Sequence, residues 1–193
     1  MHKSRIEAFS DGVIAIIITV MVLELKTPHG TNLSDLLPLK SIFLCYLLSF
    51  IYLAIYWNNH HHLFQAVNAI NGKILWANLH LLFWLSLIPF VTAWAGENHF
   101  ANVPTACYGF VLLMAACAYF ILTKVLISEE SNESVLAIAI GKDAKGKLSI
   151  VLYAIAVPLA FWWPFLAFFI YIIVAIIWFI PDKRIEKKLQ HTE

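Results

Sequence analysis

The run Arg5-Ile6-Glu7-Ala8-Phe9-Ser10-Asp11-Gly12 leads directly into an uninterrupted apolar stretch, Val13 to Leu23. An arginine, a serine and an aspartate therefore open a helix whose remainder reads as membrane-embedded. Ionised groups at bilayer depth cost several kcal/mol unless they are paired or hydrated, so an aspartate there marks a site of consequence. The stretch differs from a cleaved secretory signal because Ser10-Asp11 interrupts the apolar region and no small-x-small processing site follows. It is read as a retained helix.

The whole chain supports a membrane setting. Of 193 residues, 61% are hydrophobic and 13% charged, and the mean hydropathy is +0.78. A soluble domain of this size has too little interior to hide that much apolar surface. The formal net charge of +1 gives no electrostatic footprint for nucleic acid. Cys45, Cys107 and Cys117 all fall in apolar segments, are odd in number and match no ligand spacing, so they read as packed thiols rather than a disulfide or metal set.

About 20 apolar residues carry a helix across a bilayer. Six stretches approach that length: about 6–25, 39–60, 74–95, 104–127, 147–163 and 164–180. The expected fold is all-α, a polytopic membrane protein of six transmembrane helices forming one domain over residues 1–193. The last two stretches are short and meet at Trp163-Pro164, which predicts a tight hairpin with Pro164 in the first turn of the sixth helix. Pro89 and Pro158 are expected to kink the third and fifth helices, and Pro181 to end the sixth. Six crossings leave both termini on one side. If that side is cytoplasmic, it holds Lys3, Arg5, Lys73, Lys124, Lys142, Lys145, Lys147, Lys183, Arg184, Lys187 and Lys188, and the other side only Lys26 and Lys40. Such asymmetry is what the positive-inside rule requires, and places Trp94, Trp162 and Trp163 at the outer interface and Trp76 and Trp178 at the inner one. The link at about 128–146 has room for a short surface helix at most. The first-helix pattern does not recur, so no internal duplication is visible.

At 100° per residue, Arg5, Phe9, Gly12, Ile16, Val20 and Leu23 fall within about 40° of one line, and Thr19 flanks it about 60° away. Asp11 lies about 140° from that line, and Ser10 about 120° on the other side. The helix thus has an apolar stripe and a separate polar patch. Ile16, Val20 and Leu23 are equally what plain helix packing would use. The polar patch, by contrast, needs partners in any arrangement. Candidates lie at matching depth: Trp57-Asn58-Asn59-His60-His61-His62 ends the second helix, and Trp76-Ala77-Asn78-Leu79-His80 begins the third. A network of Ser10, Asp11, one or two of the histidines, Asn78 and an indole N–H from Trp57 or Trp84 would satisfy every donor and acceptor and fix the rotation of the first helix. Asp11 is assigned this structural role ahead of direct ion contact.

The pattern Arg5-x-x-x-Phe9-Ser10-Asp11-Gly12-Val13-x-Ala15-Ile16-x-x-Thr19-x-x-x-Leu23-Glu24 closely resembles the signature of the endolysosomal potassium channel family (the transmembrane protein 175 family) in its short six-helix prokaryotic form. The Trp57…His61 spacing and Asn78…Phe83-Trp84-Leu85-x-Leu87-x-Pro89-Phe90 are similar to that family's second and third helices. The resemblance implies a potassium-selective channel in the cell membrane, a homotetramer whose first helices surround a central pore, with K⁺ the permeant ion and no cofactor. No Thr-Val-Gly-Tyr-Gly filter occurs, so a carbonyl-lined filter is not expected. The family's constriction is a layered apolar ring on the first helix, which carries over to Ile16, to Thr19 or Val20, and to Leu23. Thr19 would bring the one hydroxyl able to touch a partly dehydrated ion. The resemblance also implies that Arg5, Phe9, Ser10, Asp11, Trp57, His61, Asn78 and Trp84 form a structural network. Glu24 reads either as a cation-concentrating group at the outer mouth or as a solvated helix end.

A proton-coupled or other cation transporter using Asp11 and His60–His62 is the alternative. Three adjacent histidines point in three directions on a helix, and neither inverted repeats nor paired broken helices are visible. A membrane enzyme would need separated histidine clusters or a nucleophile with its base, which a lone His80 does not supply.

Overall fold

The structure is a computed structural model, and it describes residues 3–67, 70–130 and 143–179. These residues form seven α-helices: α1 (Lys3–Leu23), α2 (Lys40–Gln65), α3 (Gly72–Ser86), α4 (Ile88–Glu97), α5 (Asn102–Glu130), α6 (Ala144–Leu159) and α7 (Pro164–Phe179). A short 3₁₀ helix, Leu33–Leu39, precedes α2. No strand occurs among the described residues. Four segments are long and apolar enough to cross a membrane: Lys3–Leu23, Leu33–Gln65, Gly72–Glu97 and Asn102–Glu129; Pro164–Phe179 is apolar but shorter. The protein is an all-helical, multi-pass membrane protein. The expected lysines and arginine at 142, 183, 184, 187 and 188, and the stop at Pro181, lie outside the described residues.

The third apolar stretch is two helices rather than one kinked helix. Pro89 stands at the second position of α4. It has no N–H to give the carbonyl of Leu85, and its ring crowds that turn. The chain responds at Leu87, whose N–H shortens its reach to the Trp84 carbonyl at 3.3 Å. Ser86 Oγ donates to the Phe83 carbonyl at 2.7 Å, satisfying one of the acceptors released by the break. Pro158 instead falls in the final turn of α6, where α6 ends at Leu159, so it closes that helix rather than bending it.

Helix α5 is the axis of the bundle, touching α3, α4, α6 and α7, while α2 lies against α4 and α7. Two close approaches depend on glycine. A Cβ on Gly96 would lie 2.5 Å from the Cα of Ile42, so α2 and α4 meet backbone to backbone there. A Cβ on Gly109 would overlap the Tyr171 hydroxyl, which passes over this position to reach the Thr105 carbonyl. The α4–α5 link turns through His99 and Phe100, both with positive φ (50° and 61°), and so delivers the Phe100 ring onto Phe168 at 4.6 Å between centroids.

Helix α1 packs on α2, α3 and α4 by one narrow seam: Ile6, Ser10, Ile14, Ile17 and Met21 are its buried residues. Their spacing of four, four, three and four keeps them on one side of a 3.6-residue helix. Everything else on α1 is at least partly exposed in the protomer.

Candidate site on the first helix

The buried seam carries one polar group, Ser10, into the core, and the structure gives it a buried partner. Asn78 Nδ2 donates to Ser10 Oγ at 2.9 Å. The same amide's Oδ1 lies 2.7 Å from His60 Nε2. Because an amide oxygen only accepts, the His60 proton resides on Nε2 and is donated to Asn78. Ser10, Asn78 and His60 are 0–2% exposed, and the His60 ring stacks on Phe64 at 4.4 Å. Three helices, α1, α2 and α3, are thereby joined through a single amide.

Asp11 belongs to a second, exposed arrangement. Its Oδ1 accepts from Trp57 Nε1 at 2.9 Å, and the Trp57 indole stacks on His61 with ring planes 20° apart. His61 in turn meets Gln65, one turn on, at 2.9 Å. The sequence suggested one network; the structure separates it into a buried Ser10–Asn78–His60 clamp and a surface Asp11–Trp57–His61 arm. Trp84 joins neither, since its indole N–H goes to His80 Nε2 at 3.0 Å on its own helix. Arg5 is exposed and has no hydrogen bond among the described residues, and His62 Nδ1 is buried without a partner there. The three histidines diverge, and no group of three His, Cys, Asp or Glu among the described residues is placed to hold a metal.

On the opposite side of α1, Phe9, Ile16, Val20 and Leu23 are 54%, 62%, 41% and 80% exposed. Arg5, Gly12 and Thr19 are exposed too, so the entire stripe read from the 100° periodicity faces away from its own protomer. Thr19 Oγ1 donates its proton to the Ile16 carbonyl at 2.8 Å. Its oxygen lone pairs are therefore turned outward as acceptors. Gly12 meets nothing within 4 Å of where a Cβ would stand. At the finish of α1, Lys26 forms an ion pair with Glu97 at the end of α4, 2.6 Å apart. That hydrogen bond and the Glu97 charge raise the Lys26 pKa above its ordinary value.

The residues that sequence reasoning passed over are the buried hydroxyls behind α1. Thr92 Oγ1 donates to the Ile88 carbonyl at 2.6 Å, so it must accept from Ser49 at 2.7 Å, and Ser49 from Tyr108 at 2.9 Å. A second chain runs from Tyr153 through Tyr52 to the Tyr171 carbonyl. Both chains end on a helix carbonyl and tie α2 to α4, α5, α6 and α7. Ser49 and Tyr52 sit three residues apart on one face of the apolar middle of α2, which was the available signal.

Residues 5–89 match the family model described as endosomal/lysosomal potassium channel TMEM175. Over 190 residues the chain is 56% identical to a potassium channel of Chryseobacterium sp. (strain P1-3), covering 98% of this chain and 99% of the relative. The chain belongs to the TMEM175 family. A second relative, a potassium channel of Streptomyces collinus (strain DSM 40733 / Tue 365), is 32% identical over 126 residues, 61% of each chain. The fold agrees with the crystal structure of a lysosomal potassium-selective channel TMEM175 homologue from Chamaesiphon minutus. The TM-score is 0.82 and the identity 31%, covering 93% of this chain and 97% of that one. The family match thus begins at Arg5 and takes in the α1 stripe, the buried clamp and the surface arm.

Proposed function

We propose that the protein is a potassium channel subunit, and that four copies assemble in the cell membrane around a central pore lined by the exposed stripe of α1. In this reading residues 1–193 form one channel domain with six crossings, both termini cytoplasmic, no catalytic residues and no cofactor other than permeant K⁺. Similarity to proteins named potassium channels supports the ion. The observation that carries the residue assignment is the outward face of α1: Ile16, Thr19, Val20 and Leu23 are exposed while the seam behind them is locked by Ser10. One protomer presents a single such stripe, and a closed ion path needs several.

Ile16 forms the narrowest ring and Leu23 a second apolar layer toward the outer mouth. Rings of this kind conduct when wetted and block when they dewet. They discriminate by dehydration cost, which is lower for K⁺ than for Na⁺, so selectivity is modest and needs no binding cage. The outward lone pairs of Thr19 receive the partly dehydrated ion between the two layers. Asp11 acts through Trp57, holding α1 in rotation rather than touching the ion. Glu24 and Glu97 add negative potential at the outer end, tempered by Lys26.

The test is ion flux into liposomes holding the purified full chain, with K⁺, Na⁺ and proton gradients imposed one at a time. Downhill K⁺ movement without a proton requirement is expected. Obligatory exchange or co-transport with protons would overturn the channel and hand Asp11 and His60–His62 a transport role.

A further inference from the structure

A narrow cavity lies inside the bundle between α2, α5, α6 and α7, with no residue of α1 in its walls. Its two ends differ. At one end stand Asn59, Gly146 and Asp143, in the last turns of α2 and at the start of α6; at the other are Tyr52 and Tyr153, both 2% exposed. Along α2, Asn59 and Tyr52 are about 10 Å apart, which sets the length of the cavity. Its volume is about 30 Å³, on a scale where one water needs about 10–15 Å³. That space, drawn out over that length, admits a single file of waters or one unbranched chain.

The walls are rich in acceptors and poor in donors. Trp178 Nε1 donates to Ser149 Oγ at 2.7 Å, and Ser149 gives its own proton to the Lys145 carbonyl at 2.9 Å. Asn59 Nδ2 is spent on the Ile55 carbonyl at 2.8 Å. The Tyr153 proton goes to Tyr52 at 2.9 Å, and the Tyr52 proton to the Tyr171 carbonyl. What these groups leave for a guest is oxygen lone pairs, on Asn59 Oδ1 at one end and on Tyr153 at the other. The Tyr56 hydroxyl has no hydrogen bond among the described residues and can turn either way. Between the ends the lining is aromatic: Tyr56 meets Tyr119 edge to face at 5.9 Å, and Tyr119 meets Trp178 at 6.1 Å.

Charge sets the direction in which a guest lies. Among the described residues Asp143 is the charged side chain that lines the cavity; Lys124, Lys145 and Lys147 do not. Lys124 is held over the Phe120 ring at 5.6 Å. Asp143 caps α6 by accepting from the Gly146 N–H at 3.2 Å, a bond that engages Oδ1 alone. Its carboxylate has no ion pair among the described residues.

We propose that this cavity binds an unbranched primary alkylammonium ion, with its –NH₃⁺ group at Asp143 and Asn59 and its chain running past Tyr56, Tyr119 and Trp178. The ammonium supplies the donors that the walls lack and the countercharge that Asp143 lacks. The chain fills the ring-lined stretch, where burial of its methylenes adds affinity. A carboxylate of equal length meets the Asp143 charge, and a cyclic amine is wider than the bore. The proposal concerns ligand binding and does not depend on ion conduction.

The experiment is isothermal titration calorimetry of the purified full chain in detergent, with n-hexylammonium as the probe and 1-hexanol, hexanoate and cyclohexylammonium beside it. Saturable binding of n-hexylammonium is expected, about ten-fold tighter than that of the other three, since a charge-assisted hydrogen bond is worth about that factor or more. Asp143→Asn keeps the helix cap and tolerates the same left-handed backbone, φ 44°. It should weaken n-hexylammonium about ten-fold and leave hexanol unchanged. Should that variant not fold, the comparison of the four compounds decides alone. Equal binding of all four, or n-hexylammonium binding that Asp143→Asn leaves unchanged, overturns the proposal. Absence of saturable binding overturns it too and leaves the cavity to water.

Discussion

Replacing Asn78 with leucine separates the buried clamp from the surface arm. Leucine is close to asparagine in volume, so the substitution removes hydrogen bonds without leaving a large void. Ser10 loses a donor but can turn its own hydroxyl to a carbonyl one turn back on α1. His60 has no such recourse: its Nε2–H is buried, 2% exposed in total, and directed at Asn78 Oδ1 alone. Leaving one buried donor unsatisfied costs about 1–3 kcal/mol. Interhelical hydrogen bonds in membranes average nearer 0.6 kcal/mol, since partners can also be found in the unfolded state. The clamp contains two such bonds, and full burial of all three groups favours the larger figure, so the expected loss is about 2 kcal/mol, roughly a thirty-fold shift of the folding equilibrium. Trp57→Phe, which removes only the exposed bond to Asp11, should cost about 0.5 kcal/mol because water replaces the lost partner. Detergent-titration unfolding followed by circular dichroism measures both. A double-mutant cycle with Ser10→Ala should show positive coupling to Asn78→Leu and none to Trp57→Phe. Equal costs for Asn78→Leu and Trp57→Phe would refute the argument that burial divides the polar patch in two.

Other substitutions test the remaining assignments. Ile16→Ala should raise single-channel conductance and weaken K⁺ over Na⁺ discrimination in planar bilayers; unchanged permeation there takes Ile16 out of the ion path. Thr19→Val, nearly isosteric but without the hydroxyl, should lower K⁺ conductance several-fold with little change in protein yield, measured as flux per reconstituted channel. Gly96→Ala sets a methyl 2.5 Å from the Ile42 Cα and should cost about 1–3 kcal/mol through strain at a close backbone contact, read as a lower unfolding midpoint. Asp11→Ala should reduce assembled protein on size exclusion before it alters ion preference; altered selectivity at normal assembly would give Asp11 a direct role in the pore.

Much of this architecture was legible because hydrophobicity in a bilayer is a one-dimensional signal. Each apolar stretch needs only length to be recognised, and the expected segments coincide with α1, α2, α5 and the α6–α7 hairpin to within a few residues. The α1 stripe was legible for a related reason: a single helix has a fixed angular period, so residue numbers alone told which side chains share a face, although not that this face is the exposed one. Depth matching also brought Ser10 together with Asn78. What could not be read was rotation between helices. His60 and His61 differ by 100° on α2, and only the packing angle of α2 against α3 decides which one enters the clamp. Trp84 was placed among the partners of Asp11 because its type was right, yet His80, one turn away on the same helix, reaches it with no tertiary cost. The hydroxyl chain through Ser49, Thr92 and Tyr108 escaped notice because each group is isolated in sequence and gains its partners only when α2, α4 and α5 converge. The break at Leu87 was foreshadowed by Pro89, although the chain resolves the conflict two residues earlier, where Ser86 can take up a freed carbonyl.

The clamp also sets a timetable for synthesis. Ser10 and its partner Asn78 are separated by 68 residues, and ribosomes add about 5–20 residues per second. For about 3 to 14 seconds, then, α1 resides in the lipid or the insertion machinery with its serine unmatched, before α3 emerges to receive it. During that interval the nascent protein carries a polar flaw that membrane quality-control proteases can recognise, and every later delay in delivering α3 lengthens the exposure.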